Sequence, residues 1–254
     1  MPTWPGLPPN VGLLSTTRRG GVSPAPYDDG MGHGGLNLGT HVGDQPHYVA
    51  RNRQILRELL PDDPAWLAQV HGAHVVNLAQ LAPQQVPEAD ASLTTIRGKV
   101  CTVLTADCLP VLFCDAAGTT VAAAHAGWRG LASGVLENTV TAMRQAGAGD
   151  LMAWMGPAIG AYQFEVGAEV RQVFLDGATD DSAQRHVTAA FTAIDGKPGK
   201  YLADIYALAR HRMLRAGVAQ VHGGEYCTVA NSGRFYSYRR DGVTGRQASL
   251  IWLK

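Results

Sequence analysis

The sequence lacks the features of a secreted, membrane-bound or nucleic-acid-binding protein. Only four of its 254 residues are cysteine, which is too few for a disulfide framework in a chain of this length. No apolar run approaches the roughly 18 residues that a membrane helix needs, and no basic segment precedes an apolar core at the N-terminus, so we expect no signal peptide. Basic and acidic residues both number 21, which leaves no excess positive charge for nucleic acid or an anionic membrane. We therefore expect a cytoplasmic protein with reduced thiols.

Internal repeats, a Walker phosphate loop and the glycine fingerprint of a dinucleotide-binding domain are also missing. Apolar residues make up 46% of the chain, enough for a substantial core. Strand-like and helix-like segments interleave, and several neighbouring strands resemble hairpins. We therefore predict an α+β fold: one domain spanning residues 1–254, a mixed or antiparallel β-sheet sandwich with flanking helices. Because no apolar surface stripe stands out, we expect a monomer.

Local patterns predict individual elements. The periodicity of apolar residues predicts helices over residues 131–146 and 201–216. Residues 65–70 and 74–78 are predicted to form the two strands of a tight hairpin, and residues 235–253 a second hairpin around a glycine-containing turn.

The residues best suited to chemistry lie around one predicted hairpin. Apolar runs at 110–115 and 120–124 are separated by a turn at Gly118. If the runs pair as neighbouring antiparallel strands, Cys108 and His125 lie near the same end of the hairpin, away from the turn. The sequence therefore predicts a thiol and an imidazole at one rim of a sheet.

A metal site is one use for these groups. His71 also follows a predicted strand, and His71, Cys108 and His125 together would form a good ligand set for zinc. Three protein ligands leave a fourth position for water, whose pKa the metal would lower toward roughly 7. A second use is a cysteine hydrolase in which Cys108 is the nucleophile and His125 its base. Each residue could instead be structural, since buried cysteines are usually small core hydrophobes.

Two arginines occupy positions suited to an anion. Arg18 precedes the pair Gly20 and Gly21, where glycine permits close approach of the backbone and arginine can form two hydrogen bonds to phosphate or carboxylate. A solvated turn is the alternative for this segment. Arg129 follows Gly127 at the start of a predicted helix, where the helix dipole favours an anion.

Taken together, the motifs resemble the YfiH-like laccase-domain family, whose members were first described as polyphenol oxidases and later as purine nucleoside phosphorylases. The motifs run in order through nearly the whole chain. They are Ser-Thr-Thr-Arg (15–18), Gly-Gly-Val-Ser (20–23), Leu-Asn-Leu-Gly (36–39), Gln-Val-His-Gly (69–72), Thr-Ala-Asp-Cys-Leu-Pro-Val (105–111), His-Ala-Gly-Trp-Arg-Gly (125–130), Gly-Pro-Ala-Ile-Gly (156–160), Phe-Glu-Val-Gly (164–167) and Phe-Tyr-Ser-Tyr-Arg-Arg (235–240).

The resemblance implies a fold and an activity. The fold would be the α/β sandwich shared with the cytotoxic-necrotising-factor toxins, and the family's zinc ligands match His71, Cys108 and His125. The implied reaction is phosphorolysis of adenosine, inosine or methylthioadenosine to a free base and ribose 1-phosphate, with adenosine deamination as a further activity. Alternatives are a Cys–His amide hydrolase that edits peptidoglycan precursors and, in an older attribution, a copper-dependent polyphenol oxidase.

The implied substrates, a small-molecule nucleoside and phosphate, suggest roles for further residues. We expect Asp107 to transfer protons and Arg129 to stabilise the reacting phosphate. Arg18 is the expected phosphate ligand, Asn37 a contact to ribose or base, and Glu165 a further substrate contact.

Two details bear on these expectations. The chain has nine histidines and no His-x-His pair, which argues against the multicopper cluster of a laccase and makes copper a less suitable metal than zinc. Residues 28–35 form a short insertion relative to the family pattern. We expect this insertion, which adds His33, to lengthen a loop near the site and to affect substrate access.

Overall fold

The computed structural model describes residues 4–82 and 85–254. Within these residues the chain forms fourteen strands and seven α-helices. The strands are β1 Val11–Ser15, β2 Arg19–Ser23, β3 Pro64–Ala65, β4 Val75–Asn77, β5 Ala91–Thr94, β6 Val100–Thr105, β7 Leu109–Asp115, β8 Val121–Ala126, β9 Leu151–Met155, β10 Glu165–Gly167, β11 Phe191–Ala193, β12 Lys200–Ala203, β13 Val218–Gly223 and β14 Gln247–Leu253. The helices are α1 Pro46–Arg57, α2 Trp128–Ala132, α3 Val135–Gln145, α4 Ala168–Asp176, α5 Asp181–Ala189, α6 Ile205–Arg215 and α7 Tyr238–Asp241.

Three sheets organise the strands. The largest has six strands in the order β13-β9-β7-β8-β5-β4, a second has the order β1-β14-β6-β3, and the third consists of β10, β12 and β11. Most neighbours are antiparallel, but β13 with β9, β4 with β5 and β3 with β6 are parallel. Mixed sheets with flanking helices confirm the predicted α+β fold class.

The two larger sheets pack face to face and share a core. Alternate residues of a strand point to opposite faces, and β7 shows the consequence. Leu112 and Cys114 join Ile251 of β14 in the core between the sheets. Val111 and Phe113 point the other way, into a core covered by helices. The centre of the six-stranded sheet is therefore buried on both faces, which explains why β7 and β8 are mostly apolar.

Helices close the outer faces of both sheets. On one side Leu136 and Met143 of α3 are fully buried against the six-stranded sheet. On the other side Leu56 of α1 packs with Leu250 of β14. The fold thus has an α/β/β/α layering, with the inter-sheet core in its middle.

Both helix predictions need correction. The segment predicted as one helix over 131–146 contains two, because Gly134 adopts a left-handed φ of 90° between α2 and α3. The helix predicted over 201–216 begins only at Ile205, after the strand β12. Asp204 fixes that start, since its side chain accepts a hydrogen bond from the backbone N–H of Ala207.

Both predicted hairpins outside the central stretch are wrong. β3 pairs in parallel with β6 and β4 in parallel with β5, so residues 65–70 and 74–78 do not pair with each other. β14 lies between β1 and β6, and residues 238–241 form the helix α7 rather than a strand. β14 is buried along nearly its whole length. Such a strand fits only in the interior of a sheet, where both of its faces are covered and both of its edges have hydrogen-bonded neighbours.

All four cysteines lie in the described part of the chain, and none forms a disulfide. Among the described residues, every helix is too short or too polar to cross a lipid bilayer.

Candidate metal centre and its cavity

The pairing of β7 with β8 brings Cys108 and His125 together. Pro110 lies opposite His125 in the antiparallel register, so Cys108, two residues earlier, sits at the end of the hairpin away from the turn. This confirms the hairpin prediction. His71 reaches the same rim from the irregular segment between β3 and β4, where its backbone takes a left-handed φ of 61°.

The three side chains converge. The Sγ atom of Cys108 lies 3.7 Å from Nε2 of His71, and the two imidazole rings are 4.8 Å apart between centroids at an angle of 73°. One donor atom from each residue lies within 4.8 Å of the others, and no other His, Cys, Asp or Glu group of the described chain meets this condition. Gly127 makes the approach possible, because a Cβ there would lie 2.9 Å from His71 and 3.0 Å from Cys108 Sγ.

The donor set fits a metal ion. Two imidazoles and one thiolate suit zinc and leave a coordination position for water or substrate. The three donor atoms already lie within 4.8 Å of one another.

Asp90 organises two of the three ligands. This buried carboxylate accepts from Nδ1 of His125 at 2.8 Å and from the backbone N–H of His71 at 3.0 Å. Its second oxygen accepts from the N–H groups of Gly72 at 2.7 Å and Val70 at 3.2 Å. The bond to Nδ1 leaves Nε2 of His125 free to bind a metal, an arrangement common for metal-binding histidines. Sequence reasoning missed Asp90, because no motif marks this aspartate in the polar segment before β5.

Electrostatics favour the metal-binding form of the thiol. Burial alone would raise the pKa of Cys108, but the charges of His125 and His71 and their hydrogen bonds outweigh it and lower that pKa. Conversely, burial would lower the pKa of His125, but the Cys108 thiolate and Asp90 raise it. Both shifts favour the thiolate, the form of cysteine that binds metals and acts as a nucleophile.

The cluster opens into a cavity of about 740 Å³, within the usual range for small-molecule sites. Besides the three metal-binding residues, the wall includes polar side chains from three distant segments. They are His41, Arg53, Gln69, Tyr238 and Arg246. Gln69 and Tyr238 belong to the Gln-Val-His-Gly and Phe-Tyr-Ser-Tyr-Arg-Arg motifs, but sequence reasoning assigned none of the five residues a role, because no local pattern links them.

A family model described as multi-copper polyphenol oxidoreductase laccase matches residues 12–254. The chain belongs to this family. Members named YfiH are among its relatives, which confirms the resemblance seen in the sequence motifs.

Similar proteins cover the whole chain. A purine nucleoside phosphorylase of Pseudomonas aeruginosa is 51% identical over 253 residues, covering 100% of this chain and 97% of the relative. The purine nucleoside phosphorylase YfiH of Escherichia coli is 51% identical over 255 residues, covering 100% and 98%. A crystal structure of a Neisseria meningitidis protein has a TM-score of 0.87 at 50% identity, covering 99% of this chain and 97% of that one. YlmD of Geobacillus stearothermophilus has a TM-score of 0.84 at 30% identity, covering 99% and 94%.

The potential metal ligands of this chain do not match the multi-copper description of the family. A laccase needs several coppers, whereas the described residues offer one cluster of three potential ligands. The described residues thus provide one candidate site for a metal ion.

Asp107 lies beside the centre but faces away from it. Its φ of 96° supplies the backbone kink needed between Thr105 and Cys108. Its carboxylate accepts from Oγ1 of Thr228 and from the backbone N–H of Arg239, the latter at 2.7 Å. Asp107 is absent from the cavity wall, and its contacts are those of a residue that fixes the position of Cys108.

The two arginines expected to bind phosphate lie elsewhere. The buried guanidinium of Arg18 donates to the carbonyls of Asp28 and Ser232, both at 3.0 Å, and lies over the ring of Tyr236. Arg129 is exposed, with its guanidinium against the ring of Trp128. Neither lines the cavity.

The remaining two predicted residues also lie outside the cavity wall. Asn37 is fully buried, and its side chain bonds to Gly39, Asp44 and the backbone N–H of Arg246. Glu165 forms an ion pair with Lys197 at 2.8 Å on the surface.

The insertion at residues 28–35 folds over Arg18 rather than over the centre. Asp28 accepts from Nε of Arg18. Asp29 closes the loop by accepting from the N–H groups of Met31 and His33. No residue of this loop lines the cavity, and His33 is exposed beside Asp29.

Proposed function

We propose that the protein is a zinc-dependent purine nucleoside phosphorylase. It converts adenosine, inosine or methylthioadenosine and phosphate into a free base and ribose 1-phosphate, and it also deaminates adenosine. The observation that carries the proposal is the cluster of His71, Cys108 and His125 opening into a cavity large enough for a nucleoside. Relatives named purine nucleoside phosphorylase, 51% identical along the full chain, support it.

The three ligands are the residues that would hold zinc, and a zinc ion bound there would supply a Lewis acid and activate water. The chain's own residues prepare the site. Asp90 fixes the orientation of His125 and the turn at His71. Gly127 leaves room for both His71 and Cys108. The inter-sheet core beneath the cluster holds these groups in place before substrate arrives.

In this proposal Asp107 and Asn37 act by positioning. Asp107 locks the kink that presents Cys108. Asn37 accepts a hydrogen bond from the backbone of Arg246, which lines the cavity. Arg18 secures the loop at residues 28–35.

The test combines product analysis with metal analysis. Purified protein is incubated with adenosine, with and without phosphate, and the products are separated by chromatography. Adenine that forms only with phosphate, together with one equivalent of zinc, is the expected result. Cys108→Ala should lose both the zinc and the activity. Cys227→Ser is the matched control: Cys227 is a half-buried thiol that accepts the N–H of Gly160, a role that a hydroxyl can retain.

Other outcomes separate the two activities. Inosine formed equally in both conditions would make deamination the main reaction. A folded, zinc-loaded protein that yields neither adenine nor inosine from adenosine, and no base from inosine or methylthioadenosine, would contradict the proposal.

A Cys–His amide hydrolase is the second candidate, favoured by one observation. The order Cys108, His125, Asp90 is that of a nucleophile, its base and the group that orients the base, and the pKa of the thiol is lowered. Zinc would block this nucleophile. The hydrolase therefore predicts that a chelator raises amide hydrolysis of a peptidoglycan precursor, whereas the phosphorylase predicts that a chelator abolishes nucleoside turnover.

A further inference from the structure

The cavity contains a second charged feature besides the metal centre. Arg53 of α1, Arg246 immediately before β14 and His41 of the loop preceding α1 all line it. These residues come from three parts of the chain, and the short segment from Asn37 to His41 lies between the two arginines.

Arg53 lines the cavity and has a donor that no described residue accepts. Its guanidinium stacks on the ring of Trp66 with Cζ 3.8 Å from the centroid. Nε and Nη2 both donate to the carbonyl of Leu38, at 3.1 and 2.9 Å. Nη1 has no partner, and no carboxylate lies within ion-pair distance, among residues 4–82 and 85–254. Burial lowers the pKa of Arg53 to about 10, so the group remains charged at neutral pH.

Arg246 has the same character. Its Nη1 donates to the carbonyls of Thr244 and Gly245, both at 3.0 Å. Nε and Nη2 have no partner in the described chain, and no carboxylate pairs with the group there. Its backbone is fixed on both sides, since its N–H donates to Asn37 and its carbonyl accepts from Leu38.

His41 lies within the field of both guanidiniums. Partial loss of contact with water, together with the charges of Arg246 and Arg53, lowers the pKa of His41. Its imidazole is therefore neutral near pH 7 and still offers one N–H donor. Its ring has no hydrogen-bond partner in the part of the chain that the structure describes.

An anion in the cavity would stabilise these two half-buried arginines. Removing charged groups from water is costly unless an opposite charge compensates them. Among other arginines shielded from solvent, Arg18, Arg212 and Arg240 each have a carboxylate partner, whereas Arg210 donates to the backbone carbonyls of Val221 and Gly223. Arg53 and Arg246 instead face a common cavity with donors to spare.

We propose that Arg53, His41 and Arg246 form the binding subsite for inorganic phosphate. The inference rests on the proposed phosphorylase function and gives it an anion site that Arg18 and Arg129 do not supply. Arginine suits the role, because its planar fork can donate two parallel hydrogen bonds to a phosphate.

Phosphate bound in this subsite would be the nucleophile of the reaction. An oxygen of monohydrogen phosphate forms a bond to C1′ of the ribose as the C1′–N9 bond breaks. The electron pair of that bond leaves with the purine, which takes up the proton released by the phosphate. The products are the free base and ribose 1-phosphate, with no other reactant required.

Phosphate binding is measured by calorimetry on the metal-loaded protein, and KM for phosphate and for nucleoside by steady-state kinetics. Arg246→Gln and Arg53→Gln should each weaken phosphate binding about tenfold or more. KM for phosphate should rise in parallel while KM for nucleoside stays within about twofold. Arg51→Gln is the matched control, an exposed arginine on the same helix as Arg53, and should leave both constants unchanged.

Further variants guard against a folding defect. Arg246→Lys keeps the charge and should recover part of the phosphate affinity lost in Arg246→Gln. His41→Gln replaces an exposed residue, and a smaller loss of phosphate affinity is expected there.

The outcomes distinguish this inference from the function on which it rests. Phosphate binding that depends on Arg53 and Arg246 in a protein without phosphorolysis would support the subsite and overturn the function. Phosphorolysis with unchanged phosphate affinity in both glutamine variants would overturn the subsite. A nucleoside monophosphate whose binding alone depends on the two arginines would also overturn it, because the anion would then belong to the substrate.

Discussion

Asp90 shows how much a single side chain contributes to this centre. Each of its oxygens accepts two hydrogen bonds, so all four donors point at one carboxylate. Two of those donors belong to metal-binding residues, His71 and His125. One buried acid thus sets the backbone of one ligand and the ring orientation of another.

Replacing Asp90 with asparagine should therefore weaken metal binding. The amide NH₂ would face two N–H donors and could no longer accept from them. We expect Asp90→Asn to lower metal affinity roughly 10- to 100-fold, the usual effect of removing such a partner. Competition with a chromogenic chelator measures the affinity. Asp195→Asn, at an exposed position, is the control; equal affinities in both variants would contradict this role for Asp90.

The close approach of Gly39 to Arg246 allows a test of the proposed phosphate subsite. A Cβ at Gly39 would lie 2.8 Å from Cγ of Arg246, near the base of its side chain. Gly39→Ala should displace Arg246 and raise KM for phosphate several-fold, with a smaller effect on KM for nucleoside. Steady-state kinetics in both substrates provide the measurement. An unchanged KM for phosphate would show that Arg246 can shift without consequence.

Among the elements, the pair α2 and α3 departs most clearly from the sequence pattern. Apolar periodicity runs across both, yet Gly134 breaks the helix with a φ of 90°. A non-glycine residue is strained in this conformation. The break lets α3 turn onto the sheet while Gly127 stays beside the metal-binding residues.

Gly134→Ala should lower the free energy of unfolding by about 1–2 kcal/mol. This loss of stability comes from backbone strain and not from a steric clash, because the nearest atom to an added Cβ is 3.8 Å away. Gly149→Ala is the matched control, since Gly149 has an ordinary φ and no neighbour within 4 Å. Urea denaturation of both variants measures the difference. A destabilisation by Gly149→Ala as large as that by Gly134→Ala would refute the conformational argument.

At the scale of the whole molecule, the core between the two large sheets supports the site from below. Leu112 of β7 is fully buried in this core. Leu112→Ala should cost about 2–5 kcal/mol of unfolding free energy, because it leaves a cavity between two rigid sheets. Leu59→Ala should change stability by less than about 1 kcal/mol, since Leu59 is 64% exposed. Chemical denaturation monitored by tryptophan fluorescence compares them; equal losses would contradict the proposed packing.

Metal binding should also be visible in global stability. The ligands come from three segments: the turn after β3, the residue before β7 and the end of β8. A metal that binds only the folded arrangement stabilises it by mass action. We expect a chelator to lower the unfolding temperature of the wild-type protein but not that of Cys108→Ala. Equal shifts in both proteins would show that the ion binds elsewhere.

Local sequence was sufficient for part of the site. Cys108 and His125 flank one hairpin whose turn contains Gly118, so their proximity follows from strand pairing over a short stretch of chain. The left-handed turn at His71 and the role of Asp90 could not be inferred in this way. Both depend on a carboxylate that reaches across from another strand.

By itself, the sequence determined the α+β class and the central hairpin through local patterns of apolar residues. Its motifs identified the family and the three side chains that converge at the rim of the sheet. Tertiary structure alone decided the strand partners of β3, β4 and β14, since neither β3 nor β14 pairs with a strand next to it in the sequence, and β4 pairs in parallel with β5 rather than with β3. It also decided which charges face the cavity. The guanidinium of Arg18 donates its hydrogen bonds to backbone carbonyls. Arg53 and Arg246, although far apart in the chain, both line the cavity. Whether an arginine has a partner depends on its three-dimensional neighbours.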